Sequence, residues 1–247
     1  MTWRSEGWLS LPRVDEAEDI DNPQQPFDAV ARSMADVART NALFGGTRTV
    51  LAHVARLLRP VPLHTPLRIL DIATGSGDIP CAVHGWAKAQ GREVTVVAVD
   101  NLASMLRLAR GVSPQTLLVQ GDARCLPFAP GSFDIALCAL AFHHLGYDAS
   151  VAVLRSMDAL TTRGFVVSDL RRDQLSLWTV QAGVALMRAH AFTRHDGPAS
   201  VRRAWTPREY ERMVMESGAR GVRVCSSLYF RMALVQEKGR VVRANNK

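Results

Sequence analysis

The segment Leu70-Asp71-Ile72-Ala73-Thr74-Gly75-Ser76-Gly77-Asp78 holds the densest chemical pattern in the chain. Gly75 and Gly77 permit a tight turn and a close approach of backbone to a ligand. As a dinucleotide loop the segment fails, because that fingerprint needs a third glycine where this chain has Pro80. Asp71 would also set a carboxylate beside a bound pyrophosphate. A Walker A loop closes on Gly-Lys-Ser/Thr, whereas Gly77 is followed by Asp78. The residue types fit a ligand without phosphates that brings a positive amino group near Asp71. Two further acids extend the pattern. Val97-Ala98-Val99-Asp100 ends on a carboxylate 29 residues after Asp71, suited to accept both hydrogen bonds of a ribose diol. Gly121-Asp122-Ala123 supplies another, suited to an adenine amino group. Each acid alone is equally a helix cap or a turn residue; three at successive strand ends point to a nucleoside site.

These residues need a scaffold, and the periodicity predicts one. Short apolar runs at 68–73, 93–99, 115–120, 133–140 and 164–168 read as strands buried on both faces. Helical patterns at 79–90, 102–110 and 148–160 alternate with them, the signature of a parallel sheet covered on both sides. Before the sheet come an extended arm of about 25 residues with Pro12, Pro23 and Pro26, and helices at 27–39 and 47–58. After it come an apolar helix over Leu175–Phe192, a polar loop, and a helix opened by Thr206-Pro207-Arg208-Glu209, a capping box with proline in the first turn. Strands at Val222–Ser226 and Tyr229–Val235 close the chain as a hairpin. The expected division is an N-terminal arm and helical cap over 1–66 and one α/β domain over 67–247, with a lid insertion at 170–205.

S-adenosylmethionine has the chemistry the acids and glycines ask for. From Arg68 to Val235 the chain resembles the class I S-adenosylmethionine-dependent methyltransferases. The glycine motif, the acid ending the second strand, the Gly-Asp-Ala turn and Phe133-Asp134 opening the fourth strand stand in that family's order. The Ala73-Thr-Gly-Ser-Gly-Asp form is similar to that of the ubiquinone/menaquinone biosynthesis methyltransferases; in the wider family the Ala73 position is usually glycine. The resemblance implies a Rossmann-like three-layer α/β sandwich. Its seven-stranded, mostly parallel sheet has order 3-2-1-4-5-7-6, with the last-inserted strand antiparallel. It implies cofactor contacts from Asp71, Ala73, Thr74, Gly75 and Gly77, from Asp100 and Asn101, from Asp122 and Ala123, and from Ala139. S-adenosylhomocysteine would be the product.

In that fold the end of the fourth strand faces the transferred methyl group. Here the chain reads Ala141-Phe142-His143-His144-Leu145. A histidine can take a phenol or hydroxyl proton near neutral pH, so His143 is the preferred base and His144 the positioning partner. Both residues also fit a purely structural role. The segment from Thr193 to Trp205 is read as the loop that selects substrate. There His195 beside Asp196 offers a second base, and Arg202 and Arg203 could grip a carboxylate or phosphate. Trp178 could wall an aromatic pocket. This His-Asp-Gly…Ser…Arg-Ala segment is similar to that of small bacterial methyltransferases of polyketide-type secondary metabolism. The plain alternative is that these residues pack and pair within the chain.

Composition bounds the rest. The chain has 247 residues, 47% apolar and 21% charged, enough for a sizeable core. The net charge of +7 divides into −1 for residues 1–123 and +8 for 124–247. Such a half attracts nucleic acid, an anionic small molecule, an acidic carrier protein or an anionic membrane, or is simply a solvated face. Aromatic content of 6% offers no stacking platform for single strands, so nucleic acid is the weaker partner. No run approaches ~18 apolar residues, and no membrane span is expected. Met1-Thr2-Trp3-Arg4-Ser5-Glu6 lacks a basic-then-apolar leader pattern, and Cys81, Cys125, Cys138 and Cys225 include no C-x-x-C pair. The expectation is a cytoplasmic monomer or homodimer with no metal site. It methylates oxygen or carbon of a small aromatic or polyketide-like substrate, anionic or carrier-bound. A nucleic-acid methyltransferase, or a cofactor-binding cyclase or scaffold that does not methylate, remains the alternative.

Overall fold

The architecture follows from strands that are apolar on both sides. In this computed structural model, which describes residues 10–22, 24–227 and 231–239, seven strands form one sheet of order β3-β2-β1-β4-β5-β7-β6. They are β1 (Leu67–Ile72), β2 (Val94–Asp100), β3 (Leu117–Gln120), β4 (Phe133–Ala139), β5 (Thr161–Leu170), β6 (Val222–Ser227) and β7 (Arg231–Gln236). The first five run parallel, and β7 is antiparallel to both β5 and β6. This is the expected order and the Rossmann-like three-layer arrangement. Residues 1–9, read above for a leader pattern, lie outside the described residues, as do Pro23 of the arm and Tyr229 and Phe230 of the expected last strand.

Alternate residues of each strand feed two cores. On one face Leu67, Ile69, Ile135, Leu137, Val166 and Val235 meet Val50, Val54, Leu57 and Leu58 of α2 (Gly46–Leu58) and Ile79 and Val83 of α3 (Asp78–Ala89). On the other, Leu70, Ile72, Ala136, Phe165 and Val167 meet Val153, Leu154 and Met157 of α5 (Tyr147–Leu160) and Tyr210 and Met213 of α8 (Pro207–Ser217). Each buried valine, leucine, isoleucine, phenylalanine or methionine among them contributes about 1.5–3 kcal/mol. Two further helices flank this frame, α1 (Phe27–Leu43) and α4 (Ala103–Val112). Because α2 covers the sheet itself, it belongs to the outer layer of the sandwich rather than to a separate cap.

The insertion departs from the sequence reading. The expected helix over 175–192 is two helices, α6 (Gln174–Leu186) and α7 (Ala191–Arg203), and the expected loop at 193–205 is mostly α7. The break falls at Arg188, whose φ is +48°. There the Asp36 carboxylate of α1 accepts the His190 amide at 2.6 Å, and the His190 ring accepts from the Phe192 amide. Pro198 sits inside α7, where it removes one backbone donor. The Thr206–Glu209 capping box is present as expected.

Strand β5 begins at Thr161, directly after α5, rather than at 164. Gly164 makes this continuity work: its φ is +133°, and a Cβ there would overlap the Gln236 carbonyl oxygen of β7. Gly164→Ala should therefore cost about 2–4 kcal/mol of stability, measured by urea unfolding. A loss under ~1 kcal/mol would mean that β5 and β7 part more easily than this contact requires.

Candidate functional site

The carboxyl ends of β1, β2 and β4 open into two adjoining hollows. The first is lined by Asp100, Asn101, Leu102, Gly121, Asp122, Ala123, Cys138 and Ala141. The second is lined by Val37, Thr74, Ala139, His143, Leu170, Val180, Val184 and Thr193 among others. Ile20, Met34, Ala73, Gly75, Leu140 and His144 belong to both walls, so the two hollows meet at these residues. Two of the six, Ala73 and Leu140, hold φ near +55° and +53° without being glycine. Such conformations cost about 1–3 kcal/mol each and persist only where packing imposes them. Both stand where a ligand crossing from one hollow to the other would pass.

The nucleoside acids each have local work. Asp100 accepts the Gly75 amide at 2.9 Å and the Leu102 amide at 3.0 Å, so it closes the glycine turn against β2 as well as facing the first hollow. Burial raises its carboxyl above the ordinary range. Asp122 lies on the wall but is held by Arg124, whose guanidinium donates to both its oxygens and keeps its pKa low. Asp71 lines neither hollow. Burial pushes its carboxyl up to about 8, with the Asp78 and Asp100 charges adding to the effect. Gly77 is also off both walls; a Cβ there would press on Ala109 of α4, so it serves helix packing and its own positive φ of +79°. The Thr74 hydroxyl is buried against the Asp71 carboxyl and lowers its pKa, opposing the larger effect of burial, without reaching full hydrogen-bond geometry. A buried carboxyl with a hydroxyl against it, both at the mouth of the glycine turn, fits the amino-acid end of S-adenosylmethionine. Asp100 and Asp122 fit its nucleoside end.

The histidine pair sits across the junction. His143 is 3% exposed. Its Nδ1–H donates to Asp169 Oδ1 at 2.7 Å, while its backbone amide donates to Oδ2 at 3.1 Å. Burial alone would raise the Asp169 carboxyl, but the hydrogen bond and charge of His143 and the Leu170 amide outweigh it and hold it below the usual range. With Nδ1 thus engaged, Nε2 carries the free lone pair and faces Glu18 at 3.7 Å. His144 repeats the pattern: Nδ1 donates to Asp21 Oδ2 at 3.0 Å, and Nε2 faces the other Glu18 oxygen at 3.7 Å. Glu18 is 4% exposed, and burial pushes its carboxyl up to about 7. Asp169, Glu18 and Asp21 carried no local sequence signal; Asp169 lies 26 residues after His143, and Glu18 and Asp21 come from the arm. Glu18, His143 and His144 place three donor atoms within 4.8 Å of one another, as do Asp19, His195 and Asp196. In the first group the Arg203 guanidinium already stands against Glu18 and Asp21, so the chain supplies its own cation there.

The residues assigned to the substrate are placed differently from expectation. Arg203 is buried and pairs with Asp15, Glu18 and Asp21. Arg202 pairs with Glu16, and neither arginine lines a hollow. His195 is half exposed on the outer side of α7 with Glu16, Asp19 and Asp196 around it; the Asp196 hydrogen bond raises its pKa. Asp196 does reach the second hollow, but its two oxygens accept the Asp19 and Ile20 amides. Trp178 is 50% exposed and lines neither hollow; the wall of α6 is built by Val180 and Val184 instead. The acidic stretch of the arm, 170 or more residues away in sequence and therefore invisible as a partner, is what α7 grips.

Residues 69–164 match the family described as "Methyltransferase domain". Over 108 residues, 42% of this chain and 43% of that protein, the chain is 33% identical to the demethylmenaquinone methyltransferase of Deinococcus radiodurans. Over 157 residues, 61% of this chain and 57% of that protein, it is 31% identical to the ubiquinone/menaquinone biosynthesis C-methyltransferase UbiE of Pseudomonas savastanoi pv. phaseolicola. The chain spans about half the length of these curated relatives. In fold it is similar to the plantazolicin methyltransferase BpumL, solved in complex with a monoazolic desmethylPZN analog and SAH. That match has a TM-score of 0.62 at 13% identity and covers 85% of this chain and 95% of the other.

Two outcomes follow from this geometry. Arg203→Gln should destabilise the fold by about 2–4 kcal/mol, because it leaves the buried Glu18 carboxyl without its cation, whereas Arg202→Gln should cost under ~1 kcal/mol. Thermal unfolding of both variants checks this, and equal small losses would return Arg203 to the substrate. For Asp71, a carboxyl protonated at pH 7 must give up its proton when a cation binds beside it. S-adenosylmethionine affinity should rise from pH 6 to about 8 and then level off, with proton release seen by calorimetry in two buffers of different ionisation heat. Binding without proton release would remove Asp71 from the cofactor.

Proposed function

We propose that this chain, a class I S-adenosylmethionine-dependent methyltransferase by its fold and by the domain matched at residues 69–164, moves a methyl group to oxygen or carbon of a small aromatic or polyketide-like molecule. The observation that carries this reading is the junction. A polar hollow with nucleoside-type acids opens into a mostly apolar one through Ala73, Gly75 and Leu140, beside the histidine pair. When bound, the cofactor supplies an electrophilic methyl group on a sulfonium. Positive charge is dispersed as it reacts, so a dry, oriented cavity favours the step. Met34, Val37, Leu170, Val180 and Val184 supply that dryness.

An acceptor oxygen must lose its proton, and His143 is the group built to take it. Asp169 holds Nδ1–H, so the lone pair falls to Nε2, in the part of the second hollow's wall that Glu18 shares. His144, on both walls, orients the acceptor against the cofactor. The quinone methyltransferases it resembles in sequence support a flat, apolar acceptor. Nucleic acid is less well supported, since Arg172, Arg203 and Arg231 of the basic half are buried and engaged within the chain. No helix among the described residues is long and apolar enough to cross a membrane.

The test is labelled-methyl transfer to a panel of phenols, hydroxyquinones and enolic polyketide analogues, with single-stranded RNA as the contrasting acceptor. Transfer to a member of the small-molecule panel is expected. His143→Ala should lower kcat by about 10²–10⁴-fold and Asp169→Asn by a similar factor, with cofactor affinity nearly unchanged. Transfer to RNA alone, or a His143→Ala rate close to wild type, would overturn the assignment.

A further inference from the structure

The arm does more than cover the cavity. Residues 11–21 are fastened along α7 and its surroundings by directional contacts. The Val14 amide donates to the Arg202 carbonyl, Arg13 Nε donates to the Arg203 carbonyl at 2.9 Å, and Arg172 Nη1 donates to the Leu11 carbonyl at 2.6 Å. The Arg13 guanidinium also stacks 3.9 Å from the Trp205 ring centre. Asp196 caps the short 3-10 turn Asp19–Asp21 by accepting the Asp19 amide at 2.8 Å and the Ile20 amide at 3.2 Å. Ion pairs from Arg202, Arg203 and His195 to Glu16, Asp15 and Asp19 line the seam. Ile20 then lies on both hollows. The consequence is the position of Glu18, which enters the wall of the second hollow between the two Nε2 atoms.

We propose that Glu18 is a positioning residue of the site, and that the arm, by carrying it between His143 and His144, makes the proton-accepting centre complete only when the arm is closed over the cavity. The inference rests on the reading of the second hollow as the acceptor site. In the transfer, the acceptor O–H bond breaks and its proton goes to His143 Nε2. The new O–CH₃ bond forms as the S–CH₃ bond breaks, and that electron pair stays on sulfur. The imidazole thereby becomes a cation in a nearly dry wall. Asp169 meets that charge at Nδ1, and Glu18 is the carboxylate on the Nε2 side. The groups facing Glu18 are His143 and His144 from the turn after β4, Asp21 from the arm, and Ser200 and Arg203 from α7. Behind them stand Asp169 of β5 against His143, Arg231 of β7 against Asp169, and Asp100 of β2 against His144. Among these, only Glu18 and Asp21 leave if the arm lifts. A substrate entering under the arm would find the histidines without their second carboxylate; one already enclosed would find them complete.

The experiment uses the full chain with S-adenosylhomocysteine and two variants, Asp196→Asn and Glu18→Gln. Asp196→Asn keeps one acceptor oxygen but sets an amide donor against the other arm amide, so it breaks half of the cap without touching Glu18. Tryptic cleavage at Arg13–Val14 reports arm opening, and carbon-13 and nitrogen-15 NMR report the Glu18 carboxyl and the ring nitrogens of His143 and His144. In wild type, the cleavage should be slow, the Glu18 carboxyl should titrate at about 7, and the same inflection should appear at both rings. Asp196→Asn, or about 0.5 M salt, should speed cleavage at least about tenfold and return Glu18 to the ordinary carboxylate range. Glu18→Gln should leave cleavage slow and abolish the shared inflection. With an acceptor that turns over, it should lower kcat with KM nearly constant. Ring signals indifferent to Glu18→Gln, or a Glu18 titration that ignores arm opening, would overturn the proposal. These readouts need no acceptor, so they stand apart from the transfer panel: closed-arm coupling with no transfer would fault the acceptor reading instead.

Discussion

The hydrogen bond between His143 and the buried carboxylate of Asp169 is the constraint on which the site depends. Asp169 accepts from the His143 ring and from its amide, while Oδ1 also takes the Leu170 amide. One side chain thus joins the end of β4 to the end of β5 and decides where the chain goes next. The turn Phe142–His144 follows, and Trp205 Nε1 donates to the Phe142 carbonyl at 3.0 Å, which anchors the end of the insertion to the same point. A buried carboxylate costs several kcal/mol unless it is paired; the His143 and Leu170 amides keep Asp169 paired even where the ring is lost, so the backbone joint between the strand ends does not rest on the ring alone. The hydrogen bonds to the His143 ring, its amide and the Leu170 amide offset that cost, and the ring bond leaves the lone pair on Nε2.

A second constraint is the distribution of charge. The sequence divides into a near-neutral first half and a basic second half, which invites the idea of a surface that captures anions. Much of that attraction is internal. The arginines at the end of α7 hold the acidic arm, and Arg231 sits buried against Asn41 at 2.9 Å, near Asp78 and Asp169. Asp78 is itself held by Asn41 Nδ2 at 2.9 Å. The basic insertion is therefore a clasp for the chain's own N-terminal segment, and the cavity it encloses is mainly apolar.

These two constraints explain what the sequence made legible. The strands and the place of the glycine turn were readable because strands buried on both faces write themselves as continuous apolar runs, and Gly75, Gly77 and Asp100 cluster at their ends; the order of the strands in the sheet came from the resemblance to the class I methyltransferases. The helix break at Arg188 was not, because a left-handed arginine has no compositional signature. Gly197-Pro198 looks like a turn yet lies inside α7, where packing against Val180 and Val184 of α6 overrides propensity. Arg202 and Arg203 looked like substrate grips because their partners, Asp15 to Asp21, meet them only in space. Glu18 and Asp169 were silent for the same reason. Their chemistry arises from burial and from neighbours brought together by the fold. Trp178 illustrates the converse: an aromatic on an apolar helix suggested a pocket wall, but α6 turns its valines inward and its tryptophan out.

The central claim is that a sulfonium cofactor in the first hollow presents its methyl group to an acceptor in the second, beside His143. The most direct measurement is a crystal structure of the full chain with S-adenosylhomocysteine. The account predicts the ribose on Asp100, the sulfur at the junction of Ala73, Leu140 and His144, and an open path from sulfur to the wall formed by His143. A sulfur pointing away from that junction, or a ligand lying wholly in the second hollow, would contradict it.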